Sequence, residues 1–309
     1  MNTPQQSPAL SRFTYPLAIA NLIAQIGIIV TGGLVRLTGS GLGCSTWPMC
    51  EPGQFAPEFH AEMTFHPIVE FGNRTLTGVL SVIAGLLLLS VLLDKSRTQA
   101  IKRLVWWPII LIAVQAVVGG ITVHVDLHPA VVGIHMIISV ALVSLSTVIV
   151  YRVSPRERAD VARIPVRVKQ VVAALGLWML PIVVLGVIVT GAGPHSGDDE
   201  VGYRFSVDPM MMARIHALSV WVFVALLAVL AFLMYRARAQ SVDLAPRPLT
   251  TGFWWVVAVT ALQGAVGYYQ TFNGLPWVVV TFHLLGVGVF AMVTTNLVLL
   301  TRPTVATRR

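Results

Sequence analysis

Residues 129–151, PAVVGIHMIISVALVSLSTVIVY, indicate the fold class of this chain. The segment contains no Asp, Glu, Lys or Arg, and as a helix it is long enough to cross a bilayer core, which takes about 20 residues. Proline suits the first position of a helix, because its missing N–H would have no partner there. Only one ionisable side chain, His135, interrupts the apolar run. We therefore predict a membrane-spanning helix with a polar group near one end.

The rest of the chain repeats this character. Of its 309 residues 56% are hydrophobic and 11% are charged, whereas soluble domains average about 25% charged. The mean hydropathy of +0.78 excludes a soluble globular enzyme and a disordered chain. We predict an all-α membrane protein with eight transmembrane helices, at about residues 15–36, 67–93, 104–124, 129–151, 170–191, 209–235, 252–272 and 276–300.

The basic residues indicate the orientation of these helices. Of the 21 Lys and Arg residues, 17 lie in the two terminal tails and in the connections 94–103, 152–169 and 236–251. Short cytoplasmic loops are enriched in Lys and Arg, so both termini are predicted to be cytoplasmic. The same loops account for the net charge of +8. No nucleic-acid partner is therefore expected.

Two halves of the chain resemble each other. The motif Gln-x3-Gly occurs at residues 115–119 and again at 263–267, in the third and seventh predicted helices. Each half also has a long first outer loop and a very short second one. The pattern predicts two tandem four-helix bundles. They would comprise residues 1–151 and 170–309, joined by a basic cytoplasmic linker at 152–169.

Four polar residues lie at one depth on equivalent helices. Each even-numbered helix begins near a proline, and the polar residue follows six or seven positions later, about 9–10 Å along the helix. The prolines are Pro67, Pro129, Pro209 and Pro276, and the polar residues are Asn73, His135, His216 and His283.

Ionisable residues at this depth indicate a functional site. Two histidines on facing helices of a bundle can hold a haem iron, and His216 with His283 forms such a pair. In the first half only His135 has the ligand depth. The alternative is that these histidines merely form hydrogen bonds between helices. Three of them at matched depth in a repeated pattern favour the haem interpretation.

The second helix carries another polar cluster, in which His66, Glu70, Asn73 and Arg74 share one face. One interpretation is a Glu70–Arg74 ion pair that stabilises the start of the helix. The other is that Glu70 points into a cavity beside the iron, where it relays a proton or orients an oxygen species. Arginine binds carboxylates well. Arg74 and Arg214 are therefore the best candidates to bind haem propionates, and Arg36 and Arg204 are weaker ones.

The segment Thr31–Leu42, TGGLVRLTGSGL, followed by Cys44, Trp47-Pro48 and Cys50, resembles the first outer loop of haem A synthases. Residues 190–198, TGAGPHSGD, are similar to the opening of their second large loop. This resemblance implies an enzyme that oxidises the C8 methyl of haem O to a formyl group by successive hydroxylation. The product, haem A, supplies terminal oxidases.

The resemblance also implies roles for individual residues. It assigns a haem b cofactor to His216 and His283, and one axial position of the substrate haem O to His135. It further implies a catalytic Glu70 and a Cys44–Cys50 disulfide. The chain departs from the family at Asn73, where a histidine is common. Asparagine is not a usual haem ligand, so one axial face of the substrate haem is expected to stay open.

The expected partners are haem O and membrane lipid, with haem O synthase, an electron-transfer protein and a second copy of the chain as further candidates. The expected location is a bacterial plasma membrane. Two other functions fit part of the pattern. A bis-histidine cytochrome b that carries electrons to or from quinol needs the paired histidines but not the cysteine loop. A transporter fits the repeats but predicts charged residues near the membrane midplane, where this chain has none.

Overall fold

A computed structural model of the chain describes residues 12–58, 63–155, 164–198, 200–239 and 247–302. These residues form nine α-helices and no β-strand. The helices are α1 Thr14–Leu37, α2 His66–Leu93, α3 Gln99–Leu104, α4 Trp106–His124, α5 Pro129–Val153, α6 Val166–Ala192, α7 Pro209–Ala239, α8 Arg247–Phe272 and α9 Trp277–Leu300.

Eight spans of the described residues are long and apolar enough to cross a membrane, which confirms the predicted number. The short helix α3 continues into α4 as one such span, although residues 94–103 were predicted to be a connection. Helix α6 begins at Val166, inside the predicted linker 152–169, and α8 begins at Arg247. The helices extend beyond their apolar segments because Lys, Arg and Gln favour helix as strongly as most apolar residues do. The central residues of the linker, 156–163, lie outside the described residues.

Consecutive helices pack as antiparallel hairpins, α1 with α2, α4 with α5, α6 with α7 and α8 with α9. Helices α1, α5, α6 and α9 also contact one another and form the centre of the molecule. Helices α2 and α4 lie on one side of this centre, and α7 and α8 lie on the other. The division into two tandem bundles stays a prediction, because the two halves share an extensive interface.

Polar side chains join the central helices. The Asn21 amide donates a hydrogen bond to Ser146 Oγ at 2.9 Å, between α1 and α5, and both residues are buried. Hydrogen bonds between membrane helices contribute about 0.6 kcal/mol on average. Most of the stability must therefore come from close packing of the apolar side chains.

The apolar core is confined to one part of the helices. The described residues form four buried apolar clusters, and the fully buried members of α2, α5, α7 and α9 all follow the polar residue of that helix. In α7, for example, the cluster begins at Phe223, seven residues after His216. The other end, where the four prolines lie, is called the proline end below. It holds the three histidines, and loops rather than a buried apolar cluster cover it.

Candidate functional site

Each of the three histidines packs against a glycine of a neighbouring helix. A Cβ atom built on that glycine would lie 3.3–3.5 Å from the Cε1 atom of the imidazole, so the ring rests on the backbone. The pairs are His135 with Gly119 at 3.4 Å, His216 with Gly186 at 3.3 Å, and His283 with Gly267 at 3.5 Å. Three repeats of one contact support the depth matching that the sequence predicted.

One ring nitrogen of each imidazole lacks a close partner. Nδ1 of His135, His216 and His283 is buried and has no hydrogen-bond partner within 3.5 Å among the described residues, although the Ile182 backbone lies near the His216 ring. A buried polar atom without a partner costs about 1–3 kcal/mol, which a ligand at the ring can offset. His216 lies close enough to His283 for an electrostatic interaction between the rings. The described residues contain no cluster of three or more His, Cys, Asp or Glu. Imidazoles on facing helices are ligands that a haem iron takes, so the residues present fit a haem.

Asn73 takes the fourth position, in the first half. Thr31 Oγ1 donates a hydrogen bond to Asn73 Oδ1 at 2.8 Å, and Nδ2 of the amide lies 4.0 Å from a Cβ built on Gly32. The amide is therefore tied to α1 by a neutral hydrogen bond. Across the first half, the Gln115 amide donates to the His135 carbonyl oxygen at 3.0 Å and fixes α4 against α5. Among the described residues, no second histidine lies opposite His135 at this depth.

The Glu70 carboxylate points to the first long loop. Its side chain is buried, with an exposed fraction of 6% for the residue. It accepts a hydrogen bond from the Cys44 backbone N–H at 2.7 Å and from Arg74 Nε at 3.0 Å. A second guanidinium nitrogen of Arg74 also contacts the carboxylate. The ion pair expected from the spacing is present, and the other carboxylate oxygen is bonded to the loop.

The loop itself is closed by a disulfide between Cys44 and Cys50, and both cysteines have an exposed fraction of 0%. Arg74 Nη1 donates to the carbonyl oxygens of Thr46 at 2.8 Å and Met49 at 3.2 Å. Arg74 is thus occupied by Glu70 and the loop, which leaves it less suited to a haem propionate than the sequence suggested.

The other arginines divide into two kinds. Arg36 donates to the carbonyl oxygens of His195 at 2.8 Å and Thr190 at 2.9 Å, and Arg204 likewise binds backbone carbonyls of the second long loop. Arg214 is exposed and has no hydrogen bond or ion pair with the part of the chain that the structure describes. Of the predicted propionate ligands, Arg214 therefore has the freest guanidinium.

Sequence reasoning did not assign the glycines or Trp47 to the site. The repeated Gln-x3-Gly motif was read only as evidence of duplication, although its glycines, Gly119 and Gly267, are the residues that contact His135 and His283. Trp47 packs its indole on Gly120, next to Gly119 in α4. No local pattern reveals that contact, because it joins a loop to a helix more than seventy residues away.

Comparison with known proteins places the site in context. Residues 16–286 match the COX15-CtaA family, described as cytochrome oxidase assembly protein. A "Heme A synthase" of Bacillus cereus strain G9842 is 22% identical over 298 residues, which cover 94% of each chain. Proteins of the same name from Bacillus cereus strain 03BB102 and Bacillus anthracis strain A0248 are 23% identical over 307 residues, again with 94% of each chain. The resemblance found in the loop motifs is confirmed.

Proposed function

Because the chain belongs to the COX15-CtaA family of cytochrome oxidase assembly proteins, we propose that it is a membrane oxidoreductase that converts haem O to haem A. The reaction oxidises the C8 methyl group to a formyl group. Two successive hydroxylations, each a two-electron oxidation that needs an external oxidant, give a gem-diol, which loses water to the aldehyde. The observation that carries the proposal is the set of three imidazoles with unpaired buried nitrogens, two in the second half and one in the first.

The second half is suited to a resident haem b between His216 and His283. The two rings are close enough to interact electrostatically. Each ring packs against a glycine, Gly186 or Gly267, which has no side chain to displace it. A haem held by these two histidines would supply electron transfer. Arg214, which has no partner among the described residues, is the arginine left available to bind a propionate.

The first half is suited to the substrate, haem O, with His135 as its one imidazole ligand. Asn73 is held to Thr31 and offers no imidazole. The opposite face of the substrate is therefore left open to water or another oxygen species, which a hydroxylation requires. We infer different tasks for the two halves: His135 would hold the substrate in the first, and His216 with His283 would hold a haem that supplies electron transfer in the second. The proposed ligands lie at the proline end, which we assign to the outer side of a bacterial plasma membrane, with both termini in the cytoplasm.

A bis-histidine cytochrome b that only carries electrons is the second candidate, because the His216–His283 pair serves it equally well. One experiment separates the two. The chain is expressed together with haem O synthase, and the porphyrins are extracted and analysed by mass. Haem A supports the enzyme. Haem B as the only porphyrin bound to the purified chain, with haem O present in the membrane, supports the carrier and overturns the proposal.

Variants of the histidines sharpen this test. His135→Ala is expected to abolish haem A while the low-spin spectrum of haem b persists. His283→Ala is expected to remove that spectrum. If His135→Ala left the yield of haem A unchanged, the assignment of the substrate to the first half would fail.

A further inference from the structure

The first long loop lies across the proline end of the first half. Within this loop, residues 39–50 are called the disulfide loop here. Gly43 approaches the start of α2 so closely that a Cβ built on it would lie 2.5 Å from the carbonyl oxygen of His66. Ser40 Oγ and His66 Nδ1 form a hydrogen bond of 2.9 Å, and the Gly41 N–H donates to the Gly197 carbonyl oxygen at 2.6 Å. The loop is thus docked on α2 and on the second long loop.

Two charged residues of α2 hold the disulfide ring of this loop. Glu70 accepts the Cys44 N–H, and Arg74 donates to the carbonyl oxygens of Thr46 and Met49. Glu70 and Arg74 also bind each other, so each charge is both neutralised and bonded to the loop. Hydrogen bonds to charged groups are about twice as strong as neutral ones. The Glu70–Arg74 pair therefore stabilises the docked loop more than it stabilises the start of α2.

A tryptophan of the loop packs on a second helix. The indole of Trp47 sits on Gly120 of α4, and a Cβ at that position would lie 2.7 Å from Trp47 Cε3 and closer still to Cδ2. Only glycine leaves room for the indole. The neighbouring residue, Gly119, contacts the His135 ring, so the tryptophan reaches the edge of the site.

We propose that the disulfide loop is a closed lid on the first-half site, locked to α2 by Glu70 and Arg74 and to α4 by Trp47. Glu70 is then a positioning residue, whose carboxylate holds the lid rather than carrying a proton. The lid keeps bulk water from the proline end of the site around His135. The claim that the lid covers the substrate site rests on the proposed function, whereas the claim that the loop is closed does not.

The buried disulfide reports on the lid directly, because a reductant reaches Cys44 and Cys50 only when the loop opens. The purified chain is treated with a phosphine reductant, and free thiols are counted by mass after alkylation. Glu70→Ala and Gly120→Ala are each expected to accelerate reduction about tenfold or more, since each loses one anchor. Gly78→Ala is the matched control in α2, because nothing lies within 4 Å of a Cβ there. Reduction of Glu70→Ala and Gly120→Ala at the wild-type rate would overturn the lid.

The role of Glu70 is tested by comparing lid closure with turnover. Gly120→Ala leaves the carboxylate untouched, so a positioning role predicts that its haem A yield falls in step with faster reduction. Glu70→Gln keeps an acceptor for the Cys44 N–H and is expected to lie between wild type and Glu70→Ala in both measurements. A Glu70→Gln variant with a protected disulfide but no haem A would show proton transfer and overturn the positioning role.

The low-spin haem b spectrum serves as the control for folding. If Gly120→Ala loses it, Trp47→Ala removes the same anchor without crowding α4, and fast reduction is again the expected result. If the wild-type chain makes no haem A, the proposed function fails, while protection of the disulfide still decides the lid.

Discussion

Replacement of Gly267 by valine is expected to displace the His283 ring and with it the second-half haem. A Cβ at Gly267 lies 3.5 Å from His283 Cε1, which is an ordinary van der Waals distance. Alanine should therefore be tolerated. Valine adds methyl groups about 1.5 Å beyond the Cβ, and one directed at the ring would come within roughly 2 Å of Cε1, so the ring must move by about 1 Å or more.

The magnitude follows from the cost of overpacking. Extra methyl groups in a packed site cost about 1–3 kcal/mol, and each 1.4 kcal/mol changes an equilibrium constant tenfold. Gly267→Val should hence retain haem b about fivefold to 150-fold more weakly than wild type. Gly264→Val is the matched control, because it lies one turn away in α8 and a Cβ there meets nothing within 4 Å.

The assay is the ratio of low-spin haem absorbance to protein in purified samples, followed during transfer of haem to an excess of an apo-globin. Gly264→Val and Gly267→Ala should match wild type, and Gly267→Val should lose pigment. Equal loss in the two valine variants would mean that the helix rather than the ring had been disturbed, and would refute the glycine contact as the cause.

Two further predictions concern the first half and the second long loop. Asn73→His should give the first-half haem a low-spin spectrum, since a second imidazole would face His135, and should lower the yield of haem A; a higher yield with an unchanged spin state would contradict the open axial face. Burial, and then the positive charges of Arg36 and Arg204, lower the pKa of His195 below its usual 6.5. Above about pH 6.5 His195 is neutral whether the second long loop is packed as in the structure or transiently unpacked. As the pH falls below that value, His195 in the unpacked loop gains a proton more readily than in the packed loop, so the packed loop becomes less stable. Hydrogen exchange at residues 193–198, corrected for intrinsic rates, should therefore rise more between pH 7.5 and 5.5 in wild type than in His195→Gln, and an equal rise would contradict this origin.

The sequence alone determined the helices and the depth of the four polar residues, because both depend on local periodicity. Long apolar runs must be helical in a bilayer, where every backbone group needs an internal partner. The spacing from Pro129 to His135 and from Pro276 to His283 fixes depth through the constant rise of a helix. The same logic failed at the helix ends, such as Val166 and Arg247, where polar residues with good helix propensity continue the helix into the linkers.

The tertiary structure decided what each polar group does. Glu70 and Arg74 share a helix face in the sequence, but only the folded loop shows that they bind the backbone around Cys44 and Thr46. Likewise, the sequence ranked Arg74 with Arg214 as candidate propionate ligands, and only the folded loops show that Arg74 is engaged whereas Arg214 is free of partners in the described part of the chain. The reason is that a hydrogen bond depends on which distant segment packs nearby. Helix spacing sets the direction in which a side chain leaves its own helix, and only the packing of the loops determines what it meets there.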